Sequence, residues 1–290
     1  MGESLSLLTA LVWAVAMVLF KRSGESVPPF ALNLFRVTIS SALFLATIPF
    51  VSLERQLTPG DLAALAASGI IGIAISDTLF HRGLNLMGAS ITGIVDCLYS
   101  PFVALFALLM LDESMTTLQW LGMGLVIGAV LLATITRSDS AGTRTRPDLL
   151  WGIFYGTAAM TTVALGVVLA KPVLAHTNLI WATAIRQFFA LTVLLPATLI
   201  LKDRRAILSV LTWGPHWRFA LPATILGSYL ALMLWLAGMK YSRAGVAAVL
   251  NQTSTIWVLL LAAWFLGERF TKRKVAATIL ALAGIALVIS

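Results

Sequence analysis

The sequence predicts an all-α integral membrane protein of ten transmembrane helices, built as two inverted five-helix repeats. Three observations carry that expectation. Of the 290 residues, 59% are hydrophobic and 11% charged, under half the roughly 25% charged share of a soluble domain. The apolar residues gather in ten runs, each near the length of about 20 residues that crosses a bilayer as a helix. The last five runs repeat features of the first five in the same order.

The first five runs are residues 4–20, 30–51, 62–80, 89–111 and 118–136, bounded by charges, Pro or Gly. The opening run lacks a basic n-region and a small-residue cleavage site, so it is expected to stay as the first span rather than to be removed as a leader. A polar stretch follows, and then runs at 149–170, 179–201, 219–239, 244–266 and 275–290. The expected organisation is a first repeat over 1–138, a cytoplasmic linker over 139–148 and a second repeat over 149–290. No run alternates with period two, which excludes an outer-membrane barrel.

The repeat is visible at two offsets. A shift of 150 places Lys21 on Lys171 and Arg36 on Arg186, and a shift of 155 places Gly72 on Gly227, Gly83 on Gly238, Asp96 on Asn251 and Glu113 on Glu268. An odd number of spans per copy forces the copies into opposite orientations, the arrangement found in secondary transporters. Short cytoplasmic loops carry excess Lys and Arg. With the N-terminus outside, 14 of the 20 basic residues fall in cytoplasmic loops and 4 in outer ones. Both termini are therefore expected on the non-cytoplasmic side of the inner membrane.

The formal charge of +8 belongs to these loops, so no nucleic acid partner is expected. The single cysteine, Cys97, and three scattered histidines give no disulfide framework and no metal spacing. There is no nucleotide-binding loop and no nucleophile motif, so neither a cofactor nor enzymatic chemistry is expected. The partners are a small-molecule substrate and membrane lipid, with monomer and homodimer both compatible.

The segments ASITGIVDCLYSPFVALFALLMLDES (89–114) and AGVAAVLNQTSTIWVLLLAAWFLGER (244–269) resemble the fourth-helix segment of the EamA-type domains of the drug/metabolite transporter superfamily, which ends in Gly-Glu. The first copy carries Asp112 where Gly is usual, and the second has Ile256 where the first keeps Pro101. The resemblance covers nearly the whole chain. It implies a secondary carrier of small solutes, often an exporter, working by alternating access, and it leaves the solute open.

Ionisable groups inside spans cost roughly 2.5–3.5 kcal/mol each at a helix centre and need a reason. Five stand out: Arg36, Asp77, His81, Asp96 and Arg186. At about 1.5 Å per residue, Arg36, Asp77 and Asp96 reach a similar depth, which suggests Arg36 lying between two carboxylates. One Arg neutralises one carboxylate, so the surplus acid is a candidate for binding a proton or a cationic solute, with Asp77 first in line. The alternative is a permanent ion pair that holds the helices together. Asp77, His81 and Asn85 recur every four residues, a spacing that permits a proton relay on one face if the helix runs past Phe80.

In the second half Leu232 and Asn251 replace the two acids. Arg186, with Gln187, Asn251 and Gln252, forms a polar patch suited to a carboxylate or phosphate, unless Arg186 caps carbonyls or snorkels outward. Trp120, Trp151, Trp181, Trp213 and Trp217 fall near span ends, where headgroup-level rings belong. Trp13, Tyr99, Trp235 and Trp257 lie deeper and are candidate cavity walls for an apolar or cationic solute. Ser68, Gly72 and Ser76, together with Gly122, Gly124, Gly128, Gly238 and Gly245, are expected to let helices approach closely. A carrier of a small metabolite is the leading reading, with export as the expected direction and proton coupling left open by the surplus acid. A flippase for a lipid or lipid-linked head group is the alternative, and an intramembrane lipid-modifying enzyme a more distant one.

Overall fold

The computed structural model describes residues 2–50, 57–110, 115–134, 145–241, 250–269 and 271–289. Among them there is no strand. The helices are α1 (Gly2–Ser23), α2 (Pro29–Thr47), α3 (Pro59–Met87), α4 (Ala89–Met110), α5 (Thr117–Thr134), α6 (Arg146–Leu174), α7 (Leu179–Ile200), α8 (217–241), α9 (Leu250–Leu266) and α10 (Lys272–Ile289). A short helix, Arg204–Leu208, bridges α7 and α8. Seven helices are long and apolar enough to cross a membrane, and the apolar helices Thr117–Ala133 and Leu250–Leu266 are shorter. Asp112, Glu113, Arg243, Gly245 and most of the expected linker 139–148 lie outside the described residues.

The local chemistry explains the boundaries. Pro29, Pro59 and Pro147 stand in first turns, where the missing N–H would have had no helical partner. Thr58 with Asp61, and Thr145 with Asp148, close capping boxes at the starts of α3 and α6. Asn178 caps α7 by accepting from the Ile180 N–H at 3.0 Å. Gly88 (φ 82°) separates α3 from α4, and Gly267 (φ 65°) ends α9; both need the left-handed freedom of glycine.

Four helices are irregular in ways their apolar runs conceal. A π-helical segment, Ile70–Ile75, widens α3, and its carbonyls at Ile73 and Ala74 accept from the Asn33 side chain at 3.2 and 3.0 Å. A second, Ile225–Leu230, widens α8 at the same place under the shift of 155. Helix α4 is interrupted at Cys97–Leu98, between Ala89–Asp96 and Tyr99–Met110. Pro101 thus falls in a first helical turn, where it costs no hydrogen bond, rather than in mid-helix as its position in the apolar run suggests. The turn at Thr253 matches the interruption of α4 under the same shift.

The packing has the symmetry of a duplication. Helix α1 packs on α8 and α9, and α6 on α3 and α4; α2 meets α7, and α5 meets α10. Exchanging the halves turns the α1 pairings into the α6 pairings, and each of α2–α7 and α5–α10 into itself. The stripe Ser68–Gly72–Ser76 lies on α6: Ser68 Oγ donates to the Gly166 carbonyl at 2.5 Å, Ser76 Oγ to the Ala159 carbonyl at 2.9 Å, and a Cβ on Gly72 would stand 3.2 Å from Gly166 Cα. Gly122 meets Gly284 across the α5–α10 contact, and Gly238 faces Ser6. Gly124 has open space around it and is not a packing position. Large apolar side chains such as Leu109, Ile200 and Trp264 point outward, as they do on a lipid-facing surface.

Candidate functional site

A central cavity of about 270 Å³ lies among α1, α2, α3, α4, α6, α7, α8 and α9, so both halves wall it. Every ionisable residue singled out within the spans opens onto it: Arg36, Asp77, His81, Asp96 and Arg186. Asn251, Gln252, Tyr99, Trp13 and Trp235 also line it. Trp257 does not. Past the turn at Thr253, α9 presents Thr255 and Val258 inward, and leaves Ile256 and Trp257 each 40% exposed on the outer surface.

Arg36 does not sit between two acids. Its guanidinium pairs with Asp77 and donates to Ser228 Oγ at 3.1 Å, which joins α2, α3 and the widened part of α8. Asp96 has no cation beside it among the described residues; Trp13 Nε1 approaches one of its oxygens at 3.4 Å. The surplus carboxylate is therefore Asp96 and not Asp77. A buried ion pair with a supporting hydrogen bond is a tie between helices, whereas a cavity carboxylate held only by an indole has capacity left over.

The relay along α3 that the spacing permits has no hydrogen-bonded path through His81 in this structure. The helix does continue past Phe80, but the His81 ring is buried edge-on against Phe20 and Phe80, at centroid distances of 5.0 and 5.6 Å, and neither ring nitrogen has a hydrogen-bond partner. Asn85 faces the loop after α1 instead. Its amide donates to the Gly24 carbonyl at 3.0 Å, and Lys21 Nζ donates to the Asn85 carbonyl at 3.0 Å.

Arg186 neither snorkels outward nor caps a carbonyl. It reaches into the cavity beside Gly72, where an added Cβ would lie 3.5 Å from its Nη2. No carboxylate pairs with it among the described residues, and its Nε has no hydrogen-bond partner. The reason is written in the repeat. Arg186 is the counterpart of Arg36, and the counterpart of Asp77 is Leu232, which also lines the cavity. The Gln187 and Asn251 side-chain oxygens lack partners as well, and both residues line the same cavity as Arg186, Tyr99 and Asp96. Buried polar atoms without partners are costly, and here they converge on a space that can hold a polar guest.

Sequence reasoning missed Ser228, Thr9, Phe20, Ser76 and Phe80 as wall residues. Ser76 was visible only as a packing residue, and Ser228 carries no signal at all, since its counterpart in the first half is Ile73.

The EamA-like transporter family matches residues 1–135 and 150–290, one stretch in each half. The chain is 23% identical over 277 residues to a Bacillus subtilis (strain 168) protein named "Uncharacterized transporter YetK", covering 93% of this chain and 81% of that one. A solved structure described as "Crystal structure of protein" superposes with a TM-score of 0.65 at 21% identity, covering 99% of this chain and 94% of the other. That likeness is one of fold.

Proposed function

This chain belongs to the EamA-like transporter family, and from that premise we propose that it is a secondary carrier that moves a small zwitterionic solute by alternating access. The proposed architecture is two inverted repeats, 1–138 and 149–290, rocking about the cavity between them. The observation that carries the reading is a pair of opposite charges in one cavity with no ion-pair partners among the described residues: Asp96 from the first half and Arg186 from the second. A solute ammonium would meet Asp96, a solute carboxylate would meet Arg186, and Trp13, Tyr99 and Trp235 would cover the body between them. Arg36 and Asp77 neutralise one another and contribute the frame.

Proton coupling enters through the same residue. Asp96 without a solute ammonium is free to take a proton instead, so solute and proton would compete for one carboxylate. Export is the proposed direction, and it rests on the family resemblance alone. The polar groups converge on a cavity ringed by eight helices, which supports a soluble solute over a lipid.

The test is thermal stabilisation of the purified protein by leucine, by leucine methyl ester, which keeps only the cation, and by N-acetylleucine, which keeps only the anion. A ligand that binds the folded state at about 100 times its Kd stabilises by about 2.7 kcal/mol. Leucine should raise the melting temperature more than either half-charged analogue. Stabilisation by phospholipid head groups alone would replace this reading with a flippase.

A further inference from the structure

Helix α4 begins with an eight-residue piece, Ala89–Asp96, set off by Gly88 (φ 82°) at one end and by the interruption at Cys97–Leu98 at the other. Asp96 is its last residue. Three polar attachments along this piece lead to the second half of the chain. The Glu268 carboxylate, in the turn between α9 and α10, accepts from the first two N–H groups of the piece, Ala89 at 2.9 Å and Ser90 at 3.1 Å. Thr255 Oγ1 on α9 donates to the Gly93 carbonyl at 3.0 Å, and it lies 3.4 Å from Cys97 Sγ. Gly93 gives the close approach: a Cβ there would stand 3.3 Å from Val258.

Glu268 is a built contact and not a chance one. Only 4% of it is exposed, and Lys274, equally buried, lies 3.7 Å from its carboxylate and donates to the Arg269 carbonyl at 3.0 Å. The N–H groups it holds are the ones a helix start leaves without partners, at the end where a negative charge is favoured. A rigid piece of eight residues, about 12 Å long, therefore has the second half at one end and the cavity carboxylate at the other.

We propose that Glu268 is a positioning residue for the solute site: by gripping Ala89–Asp96 it makes that piece travel with the second half, and so sets where Asp96 stands. This rests on the role given to Asp96 above. A rearrangement between the halves that pulls Glu268 away from Ala89 would release Asp96 from its place, so that movement at one end of the bundle changes the binding site directly.

Cys97, the only cysteine in the chain, follows Asp96 and is buried, which makes it a native reporter that requires no solute. The probe is N-ethylmaleimide, and the readout is its rate of reaction with Cys97 in the full-length protein in detergent. Hydrogen bonds to a charged group are strong enough that their loss should speed the reaction by about tenfold or more in Glu268→Ala, and by a smaller factor in the isosteric Glu268→Gln. Thr58→Ala, which removes the cap at the Pro59 end of α3, the far end of that helix from Ala89, should leave the rate unchanged while lowering the melting temperature. An unchanged rate in both Glu268 variants overturns the proposal, and so does an equal rise in Thr58→Ala. If neither Glu268 variant folds, hydrogen exchange of the unaltered chain decides. Opening of residues 89–96 together with 254–266 upholds the proposal, and opening together with 76–87 overturns it.

A second arm separates positioning from mere attachment. The leucine-induced rise in melting temperature should shrink in Glu268→Gln as it does in Asp96→Asn, and the double variant should lose no more than the single Asp96→Asn. Additive losses would overturn the positioning role. If leucine gives no shift with the unaltered protein, the solute assignment fails, and the maleimide rates still decide whether Glu268 holds the piece.

Discussion

Arg36 and Arg186 are the same residue in two copies of one five-helix unit, and the structure uses them oppositely. Arg36 is neutralised by Asp77 and tied to Ser228, so its charge is consumed in joining three helices. Arg186 opens onto the same cavity with Leu232 in the slot of the missing acid. Asp96 and its counterpart Asn251 show the reverse asymmetry. Each half is left with one charge, negative in the first and positive in the second, and the cavity joins them. The duplication supplied two equal frames; the site comes from the substitutions that made them unequal.

The contrast is sharpest where the pair is broken. Asp77→Asn leaves Arg36 buried without its counter-ion, and loss of one partner of a buried pair costs about 3–5 kcal/mol. A large fall in melting temperature is expected, partly restored by adding Arg36→Met. If Asp77→Asn melts like the unaltered protein, the pair is not the frame. Leucine-induced stabilisation reads the other copy: Leu232→Asp gives Arg186 the acid it lacks, so that copy should come to resemble the first. Binding should be abolished while the melting temperature holds or rises; undiminished binding would show that Arg186 does not need to be free. Asp96→Asn should lose part of the ligand-dependent stabilisation, which is about 2.7 kcal/mol at 100 times Kd, because Arg186 still meets the solute carboxylate; the melting temperature of the free protein should change little. If that variant still responds to leucine as before, the acid has no part in binding.

Gly72→Ala tests how closely the Arg186 copy is packed. The new methyl would press on the Gly166 backbone and touch the Arg186 guanidinium, and overpacking costs about 1–3 kcal/mol. Melting and leucine affinity should both fall. The smallest effect belongs to Trp257→Leu, which leaves the cavity untouched and should alter neither quantity measurably; a loss of leucine affinity there would place Trp257 in the site after all.

The fold was legible because its evidence is one-dimensional. Apolar runs of bilayer length and a repeat offset survive in any reading of the chain. The site was legible as a set of residues for the same reason, since a charge within an apolar run stands out. The pairing among them was not. Whether Arg36 chooses Asp77 or Asp96 depends on helix phase, and two features that set phase leave no mark in the sequence. Ile-Ile-Gly-Ile-Ala-Ile reads as ordinary helix, yet it forms the wide segment of α3. The interruption at Cys97–Leu98 falls without Gly or Pro, while the visible Pro101 lies beyond it. The turn at Thr253 likewise turned Trp257 away from the cavity that its depth suggested.

The widened turns of α3 and α8 also set where the side chains beyond them point. A π-helical turn is a helix with one residue too many, and each such residue rotates everything after it by about 100°. Asp77 lies two residues past the wide turn of α3, so its aim into the cavity depends on that surplus residue. Both copies carry the surplus at the same place. The second copy has the same wide turn with Leu232 in the slot that Asp77 fills in the first, so it has the geometry of the pair without its acid.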